Sequence, residues 1–468
     1  MDVDLRALAR HGPVHFMGVA GAGMSTIAEL IVRGGGAVTG CDLRPGAAGD
    51  ALRAHGADIQ QGHDVQHVAD AMALVMTSAI PATHPEVMAA RERGIPVMKR
   101  AQALGSLVNR GTVLAIAGTH GKTTTTAAAT AILDAANLDP TGLVGGRMTA
   151  WGGGLRAGQG AIYVVEADEY DRSFLALHPS AAVVTSVEAD HLDIYDDLQG
   201  IESAFVEFLS QVRPDGLIAV CIDDDGARRI GAATAETRSV LTYGTSPSAR
   251  LRAVAVRQHG RAMTFTVTDD GDELGSMTLG APGLHNVRNA LGAFAIARHA
   301  GATFAAAQVA LRTFSGVSRR FQELGSVGDI TVIDDYAHHP TEVDATIEAA
   351  RGAYPGRRLV AAFQPHLYSR TRDLAVDFGR ALAAADVVWL TDVYPAREAP
   401  IEGVTGELIV AAVRTAGSQQ VHYAKTLTEL GVALRGALEA GDVLVAMGAG
   451  DIDEMTHGLF SALSGVDA

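Results

Sequence analysis

The chain has 468 residues, which at about 150 residues per domain suggests about three domains. It is 48% hydrophobic and 19% charged, a globular rather than a disordered composition. The net charge of −16 argues against a nucleic-acid-binding protein, because phosphate backbones attract a basic surface. Two cysteines do not form a disulfide framework, and no CxxC pair indicates zinc. Without an apolar signal-peptide core or a run of about 18 apolar residues, we expect a cytoplasmic enzyme with no membrane span.

The first part of the chain alternates short apolar runs with helical patterns. These runs predict strands at 14–19, 37–42 and 73–77, and a helix that begins at Met24. Strands that alternate with helices form a parallel sheet, so we predict a Rossmann-like domain over residues 1–109.

The middle of the chain, 110–318, predicts a larger sheet. Strands are expected at 112–117, 161–165, 181–185 and 216–222. Between about 250 and 280, apolar and polar residues alternate between turn residues, which favours a small antiparallel meander. A helix is predicted to begin near His285, after this meander.

The third part, 319–468, again has a doubly wound pattern. Strands are predicted at 329–333, 359–363, 387–390 and 443–447, with helices such as 340–353 between them. The predicted fold class is therefore α/β with three domains: a Rossmann-like N-terminal domain, a central P-loop ATPase domain with a mostly parallel sheet and the meander, and a Rossmann-like C-terminal domain.

A predicted phosphate loop follows the strand at 112–117. Glycine allows phosphate to approach backbone N–H groups, and the helix start that follows carries favourable partial charge. Lys122 would neutralise β/γ-phosphate oxygens, and Thr123 would offer a hydroxyl to Mg²⁺. The first glycine of the full P-loop pattern would fall at Ile116, so the loop is a shortened one, and an ordinary turn is the alternative. The residues expected to contact ATP here are Gly118, Thr119, His120, Gly121, Lys122, Thr123 and Thr124.

Acidic residues follow two further strands of the predicted central sheet, at 166–169 and at 188–190, and His191 comes next. The carboxyl ends of parallel strands gather at one edge, where the phosphate loop also lies. Carboxylates there suit Mg²⁺, with His191 as a ligand or hydrogen-bond donor. Solvated strand ends or helix caps are the alternative.

A second glycine-rich loop, 18–25, lies between the first strand and the first helix. Its pattern is Gly-x-x-Gly-x-Gly rather than the dinucleotide Gly-x-Gly-x-x-Gly. Asp42 ends the second strand about 20 residues further on, where such folds hold a ribose hydroxyl. We interpret the loop as a site for a diphosphate-sugar nucleotide, with NAD as a rival ligand and a tight turn without ligand as the third alternative.

Eight stretches together resemble the Mur ligase family, in the family's order and across all three predicted domains. They are 15–25, 118–123, 166–169, 190–193, 285–290, 319–321, 334–340 and 364–371. The resemblance implies an ATP-dependent ligase that uses Mg²⁺, with Mn²⁺ as a substitute. It implies that the carboxylate of UDP-N-acetylmuramate is phosphorylated, and that the amine of L-alanine attacks the acyl phosphate through a tetrahedral intermediate. Phosphorylation is physically reasonable, because a carboxylate repels nucleophiles and has a poor leaving group.

The resemblance also implies roles for individual residues. The implied catalytic residues are Lys122, Glu166, His191, Arg320, His338 and Arg370. ATP contacts beyond the phosphate loop are His285 and Asn289 for adenine, Arg320 for phosphate and Asp335 for ribose. The implied metal ligands are Thr123, Glu166 and His191, with Glu169 as a substitute for Glu166. The implied substrate-binding residues are Gly18, Gly21, Gly23, Met24, Ser25, Asp42, Ser78, Ala79, Tyr336, His338, His366 and Arg370.

Several of these residues also have structural interpretations. His338 could end a strand before Pro340 starts a helix, Arg320 could belong to a solvated pair, and His366 could be a loop histidine. Met24 is interpreted as a packing residue as well. Cys41 and Cys221 are interpreted as buried apolar side chains without a chemical role.

This chain differs from relatives that carry a carbamylated lysine after the Asp-His motif. Its residues 201–208 contain no lysine, in agreement with an alanine-adding enzyme.

Three other functions stay open. A recycling ligase that attaches a ready-made peptide is the alternative within the family, although its first loop usually has bulkier residues. An NAD-dependent oxidoreductase and a nucleotide-binding switch without chemistry are the alternatives outside it. We expect a monomer or weak homodimer.

Overall fold

The computed structural model describes residues 3–77, 79–190, 194–195 and 197–465. Helices and strands alternate through most of this chain, and the strands form three sheets of five, ten and six strands. The predicted α/β class with three sheets is therefore confirmed.

The N-terminal sheet is fully parallel, with strand order β3-β2-β1-β4-β5. Its central strand β1 is buried along its whole length, and it ends at Met17 rather than at residue 19 because Gly18 turns the chain at φ +73°. The elements of this part are α1 (Leu5–His11), β1 (Val14–Met17), α2 (Ala22–Arg33), β2 (Val38–Asp42), α3 (Gly46–Ala54), β3 (Asp58–Gln61), β4 (Ala73–Met76), α4 (Pro85–Glu92), β5 (Val97–Lys99) and α5 (Arg100–Val108).

The central sheet has the strand order β15-β14-β13-β12-β11-β10-β6-β9-β7-β8. Its elements are β6 (Thr112–Ala117), α6 (Lys122–Ala135), β7 (Thr141–Met148), β8 (Gly153–Arg156), β9 (Ile162–Glu166), β10 (Ala181–Val184), α7 (Leu198–Ser210), β11 (Leu217–Cys221), α8 (Asp225–Ala235), β12 (Leu241–Gly244), β13 (Leu251–His259), β14 (Ala262–Asp269), β15 (Asp272–Leu279), α9 (Leu284–His299) and α10 (Phe304–Arg312).

Strands β10, β6 and β9 are neighbours and run parallel, so their carboxyl ends lie at one edge. Strands β13, β14 and β15 follow each other in the sheet and are joined by two-residue turns, which only antiparallel neighbours allow. The predicted meander is thus present. The antiparallel pair β7 and β8 was not predicted, because the glycine-rich segment lacks a clear alternation of apolar and polar residues.

The C-terminal sheet has the order β16-β17-β21-β18-β19-β20, and only β16 is antiparallel to its neighbour among these strands. Strands β18 and β21 are buried at every position and form the centre of the layer. The elements are β16 (Gln322–Val327), β17 (Ile330–Asp335), α11 (Pro340–Ala353), β18 (Leu359–Phe363), α12 (Tyr368–Leu382), β19 (Val387–Leu390), α13 (Glu407–Thr415), β20 (Val421–Tyr423), α14 (Leu427–Ala437), β21 (Val443–Met447) and α15 (Ile452–Ser464).

By internal packing the chain divides into two compact units. The first comprises 1–254, 266–275 and 288–311, and the second comprises 255–265, 276–287 and 312–468. The N-terminal sheet lies in the first unit and the C-terminal sheet in the second. The domain ranges 1–109, 110–318 and 319–468 stay predictions.

Among the described residues, no helix combines the length and the apolar character that crossing a membrane requires.

Candidate active site

The predicted phosphate loop joins the buried strand β6 to the start of α6, which begins at Lys122. The loop is fixed by the segment after β10. The N–H of Thr119 donates to the carbonyl of Ser186 at 2.9 Å, and the N–H of His120 donates to the Ser186 hydroxyl at 2.9 Å. These bonds hold the loop at the carboxyl ends of β6, β9 and β10, where the sequence placed it.

Two glycines of the loop have no room for a side chain. Gly118 has φ +138°, and a Cβ there would lie 2.0 Å from the Thr185 hydroxyl oxygen. Gly121 has φ +83°, and a Cβ would lie 2.4 Å from Asn289 Oδ1. Both the backbone conformation and the close neighbours require glycine. The loop is therefore a tight backbone cradle before a helix N-terminus, which is the geometry that binds phosphate.

The Lys122 ammonium group lies inside this loop. Its Nζ donates to the Gly118 carbonyl at 2.6 Å and to Glu169 Oε2 at 2.6 Å. Burial raises the pKa of Glu169 to about 7, although the neighbouring Lys122 ammonium opposes that shift. Burial alone would lower the pKa of Lys122, but the carboxylates of Glu169 and Asp168 raise it, so this lysine stays charged. Glu169 thus pairs with the loop lysine.

Glu166, the predicted metal ligand, lies at the end of β9. Its pKa is raised by burial, against hydrogen bonds from the Thr123 hydroxyl and the Gly145 N–H. Glu166 Oε1 is buried and has no hydrogen-bond partner in the described part of the chain. A buried carboxylate oxygen beside a hydroxyl is a donor set of the kind that Mg²⁺ prefers. The residues present therefore fit the predicted metal.

His191 and Ser78, the two remaining predictions near these loops, lie outside the described residues. Thr77 precedes Ser78, and its hydroxyl accepts the N–H of Ala79 at 3.4 Å.

Helix α9 carries the two predicted adenine contacts one turn apart. Asn289 lies against the phosphate loop at Gly121 and is only 7% exposed. The His285 ring lies beside Gly283, where a Cβ would be 2.6 Å from ring Cε1. Asn289 thus reaches the loop directly.

The first glycine loop is shaped by the end of β2. The carbonyl of Cys41 accepts the N–H groups of Gly18 at 2.9 Å and Val19 at 3.1 Å. Asp42 Oδ2 accepts the N–H of Ala20 at 3.0 Å, and its Oδ1 accepts the N–H of Arg44 at 2.9 Å. The Asp42 carboxylate therefore shapes the loop, and its contact with a ribose stays a prediction.

Residues 21–25 divide between loop and helix. Gly21 precedes α2, so Gly23, Met24 and Ser25 belong to its first turns. Met24 is 2% exposed and packs in the apolar core, which agrees with the packing interpretation and leaves no side chain for substrate. Ser25 lines a cleft with Ala20, beside Arg147 from the β7 end.

Two arginines were missed by the sequence analysis. A Cβ on Gly23 would lie 2.8 Å from Arg100 Nη1, and Arg100 Nη2 donates to Asp168 Oδ2 at 2.9 Å. Arg147 lines the cleft below the first glycine loop. Guanidinium groups suit a diphosphate. No local motif marks either arginine, because their positions depend on β5 and β7.

Four predicted substrate residues of the C-terminal part come together. The His338 ring lies 5.2 Å from that of Tyr336 and 5.8 Å from that of His366, measured between centroids. Arg370 Nη1 lies 3.3 Å from His366 Nδ1, and Arg370 is only 8% exposed. Tyr394, which the sequence did not indicate, stacks on His366 with a centroid distance of 5.8 Å. The group combines a buried cation with aromatic and imidazole rings, which suits a carboxylate ligand.

Arg320 and Asp335 flank this group. The Arg320 guanidinium carbon lies 5.0 Å from the centroid of the Tyr336 ring, and Arg320 Nη1 lies 3.4 Å from Glu342 Oε1. Glu342 Oε2 also accepts the N–H of His338 at 3.0 Å. The sequence analysis did not predict Glu342 as part of this group, although its spacing of four residues from His338 indicates such a contact. The Asp335 oxygens accept the N–H groups of Phe321 at 2.6 Å and Ala337 at 2.7 Å. Asp335 thus shapes the turn around Arg320.

Family models of the Mur ligases match the chain in three consecutive segments. The Mur ligase family, catalytic domain, matches 13–112, the Mur ligase middle domain matches 116–297, and the Mur ligase, glutamate ligase domain, matches 319–450.

Whole-length relatives and solved structures agree with these matches. The UDP-N-acetylmuramate–L-alanine ligase of Salinibacter ruber is 45% identical over 95% of this chain and 94% of its own. That of Thiobacillus denitrificans is 46% identical over 95% and 97%. The crystal structure of the UDP-N-acetylmuramate-alanine ligase MurC from Thermotoga maritima has a TM-score of 0.83 at 27% identity, covering 98% of this chain and 100% of that one. A murein peptide ligase from Psychrobacter arcticus has a TM-score of 0.69 at 26% identity, with the same coverage of 98% and 100%.

Proposed function

The chain belongs to the Mur ligase family, and from this premise we propose that it joins L-alanine to the carboxylate of UDP-N-acetylmuramate with ATP as the energy source. The observation that carries the choice of amino acid is the 45% identity to an alanine-adding relative over almost the full length of both chains. The product is UDP-N-acetylmuramoyl-L-alanine, a precursor of peptidoglycan, with ADP and phosphate.

The reaction needs two bond changes. The γ-phosphoryl group of ATP passes to a carboxylate oxygen of UDP-N-acetylmuramate and leaves ADP. The amine nitrogen of L-alanine then attacks the acyl carbon, loses a proton, and inorganic phosphate departs from the tetrahedral intermediate. The protein mainly positions the reactants and neutralises charge in transfer.

The phosphate loop supplies the first positive charge. Lys122 approaches the β/γ-phosphates after its ammonium group exchanges part of its contact with Glu169. The backbone N–H groups of Gly118 to Thr124 surround the phosphates, and Asn289 and His285 contact adenine. Support for this assignment comes from the two glycines that have no space for a Cβ and from the position of Asn289 against Gly121.

Magnesium is part of the proposal. Thr123 and Glu166 would hold it, and the sequence adds His191 as a further ligand. Magnesium, when bound, neutralises charge on the transferred phosphoryl group. The buried Glu166 oxygen without a partner supports this assignment, and Mn²⁺ is expected to replace Mg²⁺.

The substrate assignments follow the two halves of the chain. The first glycine loop with Asp42 binds the UDP sugar, and Arg100 and Arg147 add positive charge for its diphosphate. Tyr336, His338, His366 and Arg370 hold the muramoyl carboxylate and the incoming amino acid, while Arg320 and Asp335 contact phosphate and ribose. In this proposal the domain 1–109 binds the UDP sugar, the domain 110–318 binds ATP, and the domain 319–468 contacts the amino acid and ATP. The protein works in the cytoplasm as a monomer or weak homodimer.

The test is phosphate release from MgATP with UDP-N-acetylmuramate, with and without L-alanine. We expect release that requires both, and a new amide product by mass spectrometry. Glycine and L-serine in place of L-alanine rank the acceptors, and a single methyl group is worth about 1–3 kcal/mol.

Other results would redirect the assignment. Release with a tripeptide but not with L-alanine would identify a recycling ligase. NADH-dependent turnover would identify an oxidoreductase, and ATP binding without any acceptor-dependent release would identify a nucleotide-binding switch.

A further inference from the structure

The N-terminal sheet contains a group of metal-ligating side chains that the proposed reaction does not use. His15, Cys41, His67 and Glu86, here called the His–Cys–Glu cluster, place one ligand atom each within 4.8 Å of one another. We propose that this cluster binds a divalent transition-metal ion, and that zinc is the ion its donors suit best. The binding itself is independent of the ligase activity.

Four separate elements bring the cluster together. His15 lies on β1, Cys41 near the end of β2, His67 in a short 3-10 helix at Val65–Val68, and Glu86 in the first turn of α4. His15, Cys41 and Glu86 are at most 1% exposed, and the His67 side chain is 18% exposed. The site is thus enclosed by protein on most sides.

Two separations between donor atoms lie close to those around a tetrahedral ion, and all four ligand atoms lie within 4.8 Å of one another. Cys41 Sγ lies 3.6 Å from Glu86 Oε2, and His67 Nδ1 lies 3.0 Å from Glu86 Oε1. Ligands at about 2.0–2.3 Å from a tetrahedral zinc ion lie about 3.3–3.8 Å apart. Only small side-chain movements are therefore needed to complete the coordination.

The hydrogen bonding of His15 is an independent indication that the cluster binds an ion. Its Nδ1 lies 2.9 Å from the Thr39 hydroxyl oxygen, which leaves Nε2 for the cluster. His15 Nε2 is fully buried and has no hydrogen-bond partner among the described residues. A buried polar atom without a partner costs about 1–3 kcal/mol. A histidine with one nitrogen held by an oxygen and the other directed to a metal is the usual arrangement of a metal ligand.

The chemistry of the donors favours zinc over magnesium. A thiolate and two imidazoles are soft or borderline ligands, whereas Mg²⁺ prefers oxygen. Binding requires the Cys41 thiol to release one proton, after which the thiolate and the Glu86 carboxylate balance the two charges of the ion. Four protein ligands leave no open position, as in structural zinc sites.

His63 supports the cluster from outside. Its Nδ1 lies 3.3 Å from both Cys41 Sγ and Glu86 Oε2. In this position it can donate to the carboxylate that also binds the ion and so fix its orientation.

The site is connected to the first glycine loop through the backbone. The Cys41 carbonyl accepts the N–H groups of Gly18 and Val19, and the next residue, Asp42, accepts that of Ala20. An ion on Cys41 would therefore fix the strand end on which this loop rests. An effect of the metal on UDP-sugar affinity rests on the proposed function, whereas binding of the ion does not.

The experiment is a titration of the chelator-treated, full-length protein with Co²⁺ under reducing conditions. We expect one equivalent to produce a thiolate-to-cobalt charge-transfer band in the near ultraviolet, and Zn²⁺ to displace it. Cys41→Ser should abolish the band. Cys221→Ser is the matched control: it alters the second buried cysteine, which lies on β11, and should leave the band unchanged. His67→Ala should weaken Zn²⁺ binding at least tenfold.

The outcomes are separable. The proposal is overturned if the wild-type protein gives no band, or if the band is unchanged in Cys41→Ser. Circular dichroism checks the folding of each variant, and Glu86→Gln replaces Cys41→Ser if the latter does not fold. Zn²⁺ should also raise the unfolding temperature of the wild-type protein and not that of Cys41→Ser or Glu86→Gln. An equal rise in all of them would show adventitious binding at surface histidines and would also refute the site.

Discussion

Replacement of Lys122 by methionine tests the phosphate loop and the buried ion pair at once. Methionine has a similar volume and no charge, so the variant leaves Glu169 without the ammonium group that lies 2.6 Å away. The Lys122 side chain is 17% exposed and Glu169 is 3% exposed, so solvent screens this pair little. Breaking a buried pair costs about 3–5 kcal/mol when the remaining charge cannot be neutralised.

Glu169 can avoid most of that cost by taking up a proton. Its pKa in the folded wild-type protein is about 7, above the ordinary value of 4.5. This carboxyl therefore lowers the free energy of unfolding of the protein as the pH rises from 4.5 to about 7, and not beyond. In Lys122→Met the folded pKa moves higher, and the loss continues above pH 7. At 1.4 kcal/mol per pH unit, the variant should be about 2 kcal/mol less stable near pH 8.5 and almost unchanged near pH 6.

The assay is urea unfolding of the nucleotide-free protein at these two pH values, together with acceptor-dependent phosphate release. We expect Lys122→Met/Glu169→Gln to lose the pH-dependent part of the destabilisation but to stay inactive. Activity of both variants should fall at least 100-fold, since a preorganised charge at the reacting phosphate is removed. Lys99→Met is the control, because Lys99 forms an exposed pair with Asp171 at 2.8 Å and should change stability by less than about 1 kcal/mol. Equal destabilisation of Lys122→Met at both pH values, or activity within tenfold of wild type, would contradict the reasoning.

Three further changes probe the site. Gly121→Ala should destabilise the protein by about 1–2 kcal/mol because of φ +83° alone, measured by urea unfolding, and should raise the KM for ATP at least tenfold. Adding Asn289→Ala to this variant should relieve only the contact at 2.4 Å and not the backbone strain. An unchanged KM for ATP in Gly121→Ala would show that the loop does not hold phosphate. Glu166→Gln should raise the Mg²⁺ concentration for half-maximal rate at least tenfold, yet raise stability near pH 8, because burial raises the pKa of this carboxyl and its ionised form is unfavourable. An unaltered Mg²⁺ titration would remove Glu166 from the site. Arg370→Lys should lower kcat/KM for UDP-N-acetylmuramate or L-alanine at least tenfold without a change in the KM for ATP, since lysine cannot form a bidentate contact; equal losses for all three substrates would indicate a structural role.

Short apolar runs bounded by turn residues were sufficient to predict many elements. Strands β6, β18, β19 and β21 and helix α11 have the predicted bounds. Strands β6, β18 and β21 are buried on both faces along almost their whole length, so they are nearly continuous apolar runs, whereas β19 alternates between buried and partly exposed positions. Pro340 marks the start of α11. By contrast, β3, β5 and β20 are three or four residues long and partly exposed, and no periodicity distinguishes them from loops.

The sequence by itself determined the phosphate loop, because a strand, a glycine turn and a lysine at a helix start are consecutive in the chain. Only the tertiary structure decided that Glu169 neutralises Lys122, since this pairing depends on β6 and β9 being neighbours. The same holds for the His–Cys–Glu cluster, where Cys41 was interpreted as an apolar side chain. Its four members come from four elements between residues 15 and 86 with no common spacing. Local sequence patterns specify the contacts along one element. Contacts between elements depend on the order and register of the strands, and a local pattern does not specify either of these.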